Sequence, residues 1–311
     1  MKFLTFSPKP DGPPRPGILV EEKAVALPVN NLIELIEAGQ AGLDLARSLA
    51  AQALHSSTGM DGRRAVWPLE EVTLHPPISN PKSFRDFYAF EEHVSTARAN
   101  RGRQVPDEWY QFPVFYFSNP GAFYGPNDTI PYPRSSRALD YELEAACIIG
   151  RRGKDITPED AMDYVFGFTI LNDWSARDIQ AEEMRVGLGP AKGKDFASSL
   201  GPWIVTPDEL AAHAVGRPGV YDLRMTARVN DNDRSQGNWK AIYFSFGQII
   251  ERASANVTLY PGDVIGSGTV GSGCLLELTR GQGPWLRPGD TVVLEIEQIG
   301  LLRNHVSEYQ D

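Results

Sequence analysis

Four acidic residues in this 311-residue sequence, Asp86, Glu142, Glu144 and Asp173, make an all-oxygen set able to hold a hard divalent cation. No thiolate belongs to the set, which points to Mg²⁺, Ca²⁺ or Mn²⁺ and away from structural zinc. Asp86 stands seven residues before His93 in the aromatic stretch 84–93. On a helix that spacing puts both on one face, with a cation ligand beside a group that moves protons near neutral pH. An aromatic core segment with a capping Asp and a surface His is the plainer alternative. Glu142 and Glu144 share one side of a strand that continues into the apolar run 145–149. Two ionised carboxylates on a buried face repel and lose hydration, and a cation offsets both costs. A solvated acidic edge strand competes with that reading, but the apolar run argues against an edge. Asp173 ends an apolar strand and, alone, reads as a helix N-cap.

Other residues could complete a reaction centre. Arg177 and Gln180 fall on the first turn of the helix expected after Asp173. Lys194 lies in a loop with Gly187, Gly189 and Gly193, where a surface lysine is the ordinary reading and no P-loop spacing is present. Glu277 is an acid inside the apolar run 274–278, read as a strand. If buried it needs a partner, and a His is a natural one. Arg98, Arg101 and Arg103 precede the polar stretch 104–111. They read either as a mobile lid whose guanidinium groups meet a substrate carboxylate or as a solvated basic loop.

The elements that must position these residues are mostly strands. Runs at 138–150, 166–172, 202–206, 221–229, 263–269, 274–279 and 291–299 read as β, with Pro-Gly-Asp turns at 261–263 and 288–290. Helices are expected near 158–164, after Asp173 and over 246–253. Many short strands predict a mainly β (α+β) sandwich or barrel-like fold, not a doubly wound sheet. Residues 1–77 read as a small N-terminal α+β domain. It has short strands at 2–6 and 16–27 around a Pro/Gly turn. A helical stretch at 29–54, capped near Asn30 or Asn31, reads as one helix broken at Gly39 and Gly42 or as two short ones. The proline-rich stretch 75–81 marks a boundary, with residues 78–311 as the catalytic domain.

The net charge of -10, with no basic block, argues against a nucleic-acid partner. No apolar run has the length of a membrane span, and the first residues lack a signal-peptide core. Cys147 and Cys274 read as buried thiols in a reducing compartment, so the expected location is cytoplasmic.

In combination these motifs resemble the fumarylacetoacetate hydrolase family, over about 84–306. The residues that carry the resemblance are the Asp86 to His93 spacing, Tyr141-Glu142-Leu143-Glu144, the run from Asn172 through Asp173, Arg177 and Asp178 to Gln180, Gly193-Lys194, Pro261-Gly262-Asp263 leading to Ser267-Gly268-Thr269, and Ile299-Gly300 through Asn304. The resemblance implies a mixed β-sandwich roll, a homodimer, a place in aromatic catabolism, and Mg²⁺ or Ca²⁺ binding a small anionic keto-acid substrate. It implies that Asp86, Glu142, Glu144 and Asp173 ligate the metal and that His93, oriented by Glu277, activates water. Lys194, Arg177 and Gln180 would surround the oxyanion, Tyr88, Tyr116 and Thr269 would position substrate, and Ser198 would stand near a second cation.

Thr96 stands where the acylpyruvase and oxaloacetate decarboxylase branch has a Glu, so Asp86 and Glu277 resemble the fumarylacetoacetase branch more. Met184 replaces a substrate-facing Tyr of that enzyme, and Gly102 an expected Arg. The implied function is hydrolysis of a C–C bond in a 1,3-diketo acid. A decarboxylase, hydratase or isomerase of a 2-oxo acid enolate is the alternative. A non-catalytic binding protein is a third reading, disfavoured by the full set of acids, His and Lys.

Overall fold

Runs of β-branched and aromatic residues favour strands, and strands dominate the chain. The computed structural model describes residues 1–9, 12–59 and 62–308. In order, the first elements are β1 (Lys2–Pro8), β2 (Arg15–Val20), β3 (Lys23–Ala26), α1 (Leu32–Glu37), α2 (Gln40–Ala53), β4 (Val66–Pro68), β5 (Val72–His75), β6 (Phe84–Phe87), α3 (Glu91–Ala99), β7 (Phe115–Phe117), β8 (Phe123–Tyr124), β9 (Thr129–Ile130), β10 (Leu139–Asp140) and β11 (Leu143–Ile149). There follow β12 (Val165–Asp173), β13 (Ser175–Ala176), α4 (Arg177–Val186), β14 (Ser198–Val205), β15 (Arg224–Val229), β16 (Asn232–Asn238), α5 (Phe246–Ser254), β17 (Val264–Gly266), α6 (Leu275–Leu278), β18 (Thr291–Ile296) and β19 (Gly300–Val306).

Among the described residues, a twelve-stranded sheet follows the path β4-β3-β2-β1-β14-β12-β11-β17-β6-β7, with β5 beside β1 and β8 beside β14. A five-stranded sheet runs β16-β15-β18-β19-β9. The side-chain alternation of β11 divides the interior between two cores. Ala145, Cys147 and Ile149 face a core shared with Met225, Leu294 and Leu302 of the smaller sheet. Ala146 and Ile148 face the opposite side, where Phe84, Leu171, Leu200 and Val264 meet Phe3, Ile18 and the apolar faces of α1 and α2. β1 pairs with β14 through Lys2↔Val205 and with β5 through Thr5↔His75. The large sheet is therefore continuous across the boundary expected at residue 77.

Local structure departs from the sequence reading in three places. The 29–54 stretch breaks at Gly39, whose φ of 58° suits glycine, while Gly42 lies inside α2. Asn31 caps α1, its side chain accepting from the Glu34 N–H. The helix expected near 158–164 is one 3₁₀ turn, Ala161–Tyr164. The third departure is 274–279, which forms helix α6 instead of a strand. The Pro/Gly turn after β1 falls partly outside the described residues.

Candidate active site

The acids sit where strands of the large sheet end. β11 pairs with β12 and β17, and β17 with β6, in registers that align Ala146 with Gly266 and Gly266 with Asp86. Glu144 shares the face of Ala146 and Ile148, Asp86 that of Phe84, and Asp173 that of Leu171. One sheet face thus begins as apolar core and ends as a row of carboxylates. β11 is a central strand buried along its whole length, so the acidic edge-strand alternative is excluded. Gly266 is required beside this row, since a Cβ there would collide with Asp86 Oδ1.

The helix expected to carry both Asp86 and His93 does not form. Asp86 is on strand β6, paired with Gly266 and Tyr116, and His93 is on α3. The chain turns between them, and the two residues approach the same cavity from a strand and from a helix. Glu277 reaches His93 from α6. Asp140 holds the start of that helix, its carboxylate accepting from Leu275 N–H at 2.8 Å and Leu276 N–H at 3.0 Å. His93 Nδ1 lies 2.5 Å from Glu277 Oε1, and Ser272 N–H donates to Glu277 Oε2 at 3.0 Å. The Tyr88 ring meets the imidazole edge-on, 5.3 Å between centroids. His93 Nε2 then faces the carboxylates, 4.0 Å from Glu142 Oε1.

Two buried cations balance part of the acid. Lys194 Nζ donates to Glu142 Oε2 at 2.5 Å and Asp173 Oδ2 at 2.6 Å. Arg177 donates at 2.8 Å to both Asp140 and Glu142, and at 3.1 Å to Gln180. Burial alone would raise the Glu142 carboxyl, but Lys194 and Arg177 outweigh it and hold it well below the ordinary range. Burial would likewise lower the Lys194 ammonium, and Asp173 and Glu142 turn that into a rise. Tyr116 donates to Asp173 Oδ2, and Ser198 lies 3.5 Å from Asp173 Oδ1. Burial pushes the Tyr88 phenol up to about 12.

Asp86 and Glu144 have no such cation. Glu144 accepts from Gly268 N–H at 3.0 Å and Thr269 Oγ1 at 3.3 Å, and Asp86 Oδ1 is buried with no hydrogen-bond partner. Burial and the charge of nearby carboxylates raise both groups well above the usual range. Oxygens of Asp86, Glu142 and Glu144 lie within 4.8 Å of one another. An orphaned buried oxygen in a hard-donor trio fits a divalent cation. Asp173 lies outside that trio, joined to it through Lys194.

A cavity of about 360 Å³ opens onto the trio. Tyr88, Tyr116, Thr269, Arg177, Gln180, Lys194 and His93 all line it, as do Arg98, Arg101, Met184 and Leu188. Arg103 and Ser198 do not. Three contributors escaped the sequence reading. Asp140 braces both Arg177 and α6. Glu183 accepts from the N–H groups of Ala191, Lys192 and Gly193 at 2.9, 2.6 and 3.1 Å and so shapes the loop before Lys194. Cys274 Sγ lies 3.5 Å from Glu277 Oε1. Asp140 adjoins the Glu142 motif, which was the available signal for it; the other two carry none.

A family model described as fumarylacetoacetate (FAA) hydrolase, C-terminal, matches residues 82–307. The chain belongs to the fumarylacetoacetate hydrolase family. Its mixed, sheet-dominated α+β fold is the one found in solved members of that family. A mitochondrial oxaloacetate tautomerase of Bos taurus is 34% identical over 278 residues, covering 88% of this chain and 79% of that protein. A fumarylacetoacetase of Oryza sativa subsp. japonica is 31% identical over 290 residues, covering 75% and 67%. The structure of a maleylpyruvate hydrolase from Sphingobium sp. SYK-6 with manganese(II) and pyruvate is similar over the full length of both chains. Its TM-score is 0.71 at 26% identity. Family relatives of this chain thus carry both tautomerase and hydrolase names, and one holds a divalent metal with a keto acid. No described helix is long and apolar enough to cross a membrane.

Proposed function

We propose that this protein is a metal-dependent hydrolase that cleaves a C–C bond in a small 1,3-diketo acid, such as fumarylacetoacetate or an acylpyruvate. One observation carries the reading: the buried His93–Glu277 pair points its free Nε2 at the carboxylate cluster. Asp86, Glu142, Glu144 and Asp173 would hold the cation, Mg²⁺ or else Ca²⁺ or Mn²⁺, which when bound supplies Lewis-acid polarisation of a carbonyl. His93 Nε2 takes a proton from water as the oxygen adds to that carbonyl, and Glu277 balances the imidazolium. Lys194, Arg177 and Gln180 are donors arranged for the oxyanion. Collapse of the tetrahedral adduct breaks the C–C bond, and the leaving carbanion collects the proton from His93. Tyr88, Tyr116 and Thr269 position substrate, while Arg101 offers its guanidinium group to the substrate carboxylate.

A second reading is supported by the tautomerase name of a relative at 34% identity. The same His93 can pass a proton between carbon and oxygen of a 2-oxo acid enolate with no water consumed. Turnover of acylpyruvates, fumarylacetoacetate and oxaloacetate in ¹⁸O-labelled water separates the two. Hydrolysis places one label in a carboxylate product. Products of unchanged mass without label, or release of CO₂, would replace hydrolase with tautomerase or decarboxylase. A homodimer is part of the same proposal, and a light-scattering mass near 34.3 kDa would contradict it.

A further inference from the structure

The edge of the His93 ring turned away from the carboxylates faces a different set of donors. Cys274 Sγ lies 4.0 Å from His93 Nδ1 and 3.5 Å from Glu277 Oε1. A ring nitrogen, a thiol sulfur and a carboxylate oxygen thus come within 4.8 Å of one another. All three side chains are buried, and of the three His93 alone lines the cavity.

We propose that His93, Cys274 and Glu277 form a second, softer metal site, which takes zinc or cadmium and competes with catalysis. Imidazole, thiolate and carboxylate are the ligand types of zinc, and three of them leave a fourth tetrahedral position for water. The Asp86–Glu142–Glu144 trio offers oxygen alone and suits a hard ion. Two ion sites of opposite preference therefore flank a single imidazole, one on the edge that faces the cavity and one behind it.

Filling the softer site changes the protonation of that ring. The Cys274 thiol, which burial holds in its protonated form, gives its proton to solvent as sulfur meets the ion. The hydrogen bond between Nδ1 and Glu277 gives way to two bonds to the ion. The neutral ring then carries its hydrogen on Nε2, the edge facing Glu142, and that nitrogen no longer accepts a proton from water. The site rests on geometry alone. That filling it stops turnover rests on His93 being the base.

Cobalt(II) tests the site without substrate, because a bound thiolate gives cobalt an intense near-ultraviolet charge-transfer band. Protein preloaded with magnesium is titrated with cobalt. The band should form once per chain in the wild type and in Cys147→Ala, whose thiol lies buried in β11. It should persist in Asp86→Asn and vanish in Cys274→Ser. Glu277→Gln keeps the thiol and should weaken cobalt binding by about tenfold or more, the scale on which metal sites lose affinity when a supporting group is removed. This variant decides the question if Cys274→Ser does not fold. A wild type without the band, or a band that survives Cys274→Ser or is unaltered in Glu277→Gln, overturns the site. Zinc should also inhibit the magnesium-loaded wild type at concentrations about tenfold or more below those that inhibit Cys274→Ser. Equal sensitivity would put zinc among the carboxylates and overturn the competition, even with the band in place. Failure of the ¹⁸O experiment would leave the cobalt result standing.

Discussion

At the residue scale the reaction centre depends on which acids have partners. Lys194 and Arg177 neutralise Glu142, and Lys194 also holds Asp173, leaving Glu144 buried and Asp86 buried beside the charges of Asp173 and Glu142. Replacing Asp86 by its neutral isostere should therefore have opposite effects with and without metal. In metal-free protein, Asp86→Asn should raise the melting temperature, because a desolvated, unpaired carboxylate is removed. With magnesium, the wild type should gain more, since a ligand at a hundred times its dissociation constant adds about 2.7 kcal/mol. Differential scanning calorimetry with chelator and with excess magnesium gives both numbers. A larger magnesium increment in Asp86→Asn than in wild type would remove Asp86 from the ligand set. His93 is the complementary test. His93→Ala should keep the magnesium-induced rise in melting temperature and lose turnover by about 10²–10⁴-fold, the usual contribution of a positioned base. Glu277→Gln should lose less, because Gln still accepts from the ring. Full activity in His93→Ala would refute the assignment.

The elements show why some of this was legible in the sequence and some was not. The row of acids was readable because period-two alternation in 142–149 and 166–173 fixes which residues share a face, whatever the rest of the chain does. The helix proposed for Asp86 and His93 was wrong because seven-residue spacing is silent about what lies between. Residues 84–87 are buried and satisfy a strand paired on both sides, between β17 and β7. Residues 275–278 read as a strand and fold as a helix. What decides for helix is Asp140, 135 residues earlier, whose carboxylate takes the first two amide hydrogens.

Glu183 is a similar long-range support within one element. Burial by itself would raise its carboxyl, but the three backbone N–H groups it accepts from hold it below its ordinary value. A lowered folded pKa means the support is complete above the unfolded value and fades as pH falls through the folded one. Glu183→Ala should free the loop that delivers Lys194 and cut turnover, by up to about 10²-fold if the ammonium shifts by an ångström. Limited proteolysis should show faster cleavage between 187 and 193 in this variant at neutral pH, and in the wild type only as the pH falls through the lowered value of the folded Glu183 carboxyl. Unaltered cleavage and turnover would mean that Lys194 is held by Glu142 and Asp173 alone.

At the scale of the whole molecule, the N-terminal residues bear on the site without touching it. β1 hydrogen-bonds along β14, and β14 lies next to β12, whose last residue is Asp173. Phe3, Ile18 and the buried leucines of α1 and α2 cover Phe166, Leu171, Leu200 and Ile204, the apolar part of the face that ends in the carboxylates. A fragment comprising residues 78–311 retains the whole of the matched family region, 82–307. It would nonetheless expose that apolar face and leave the β14 backbone unpaired along the stretch where β1 now binds. Exposed apolar surface beside an open strand edge favours aggregation over a unique fold. The fragment should therefore be recovered mainly as aggregate, or as a species that binds hydrophobic dye and melts without a cooperative transition. Adding residues 1–77 as a separate chain should restore part of the soluble yield, because the missing strand and helices can dock on the edge they normally cover. A fragment that is soluble, melts cooperatively and binds magnesium like the full chain would show that the catalytic region folds alone, and that the shared sheet is an attachment rather than a support.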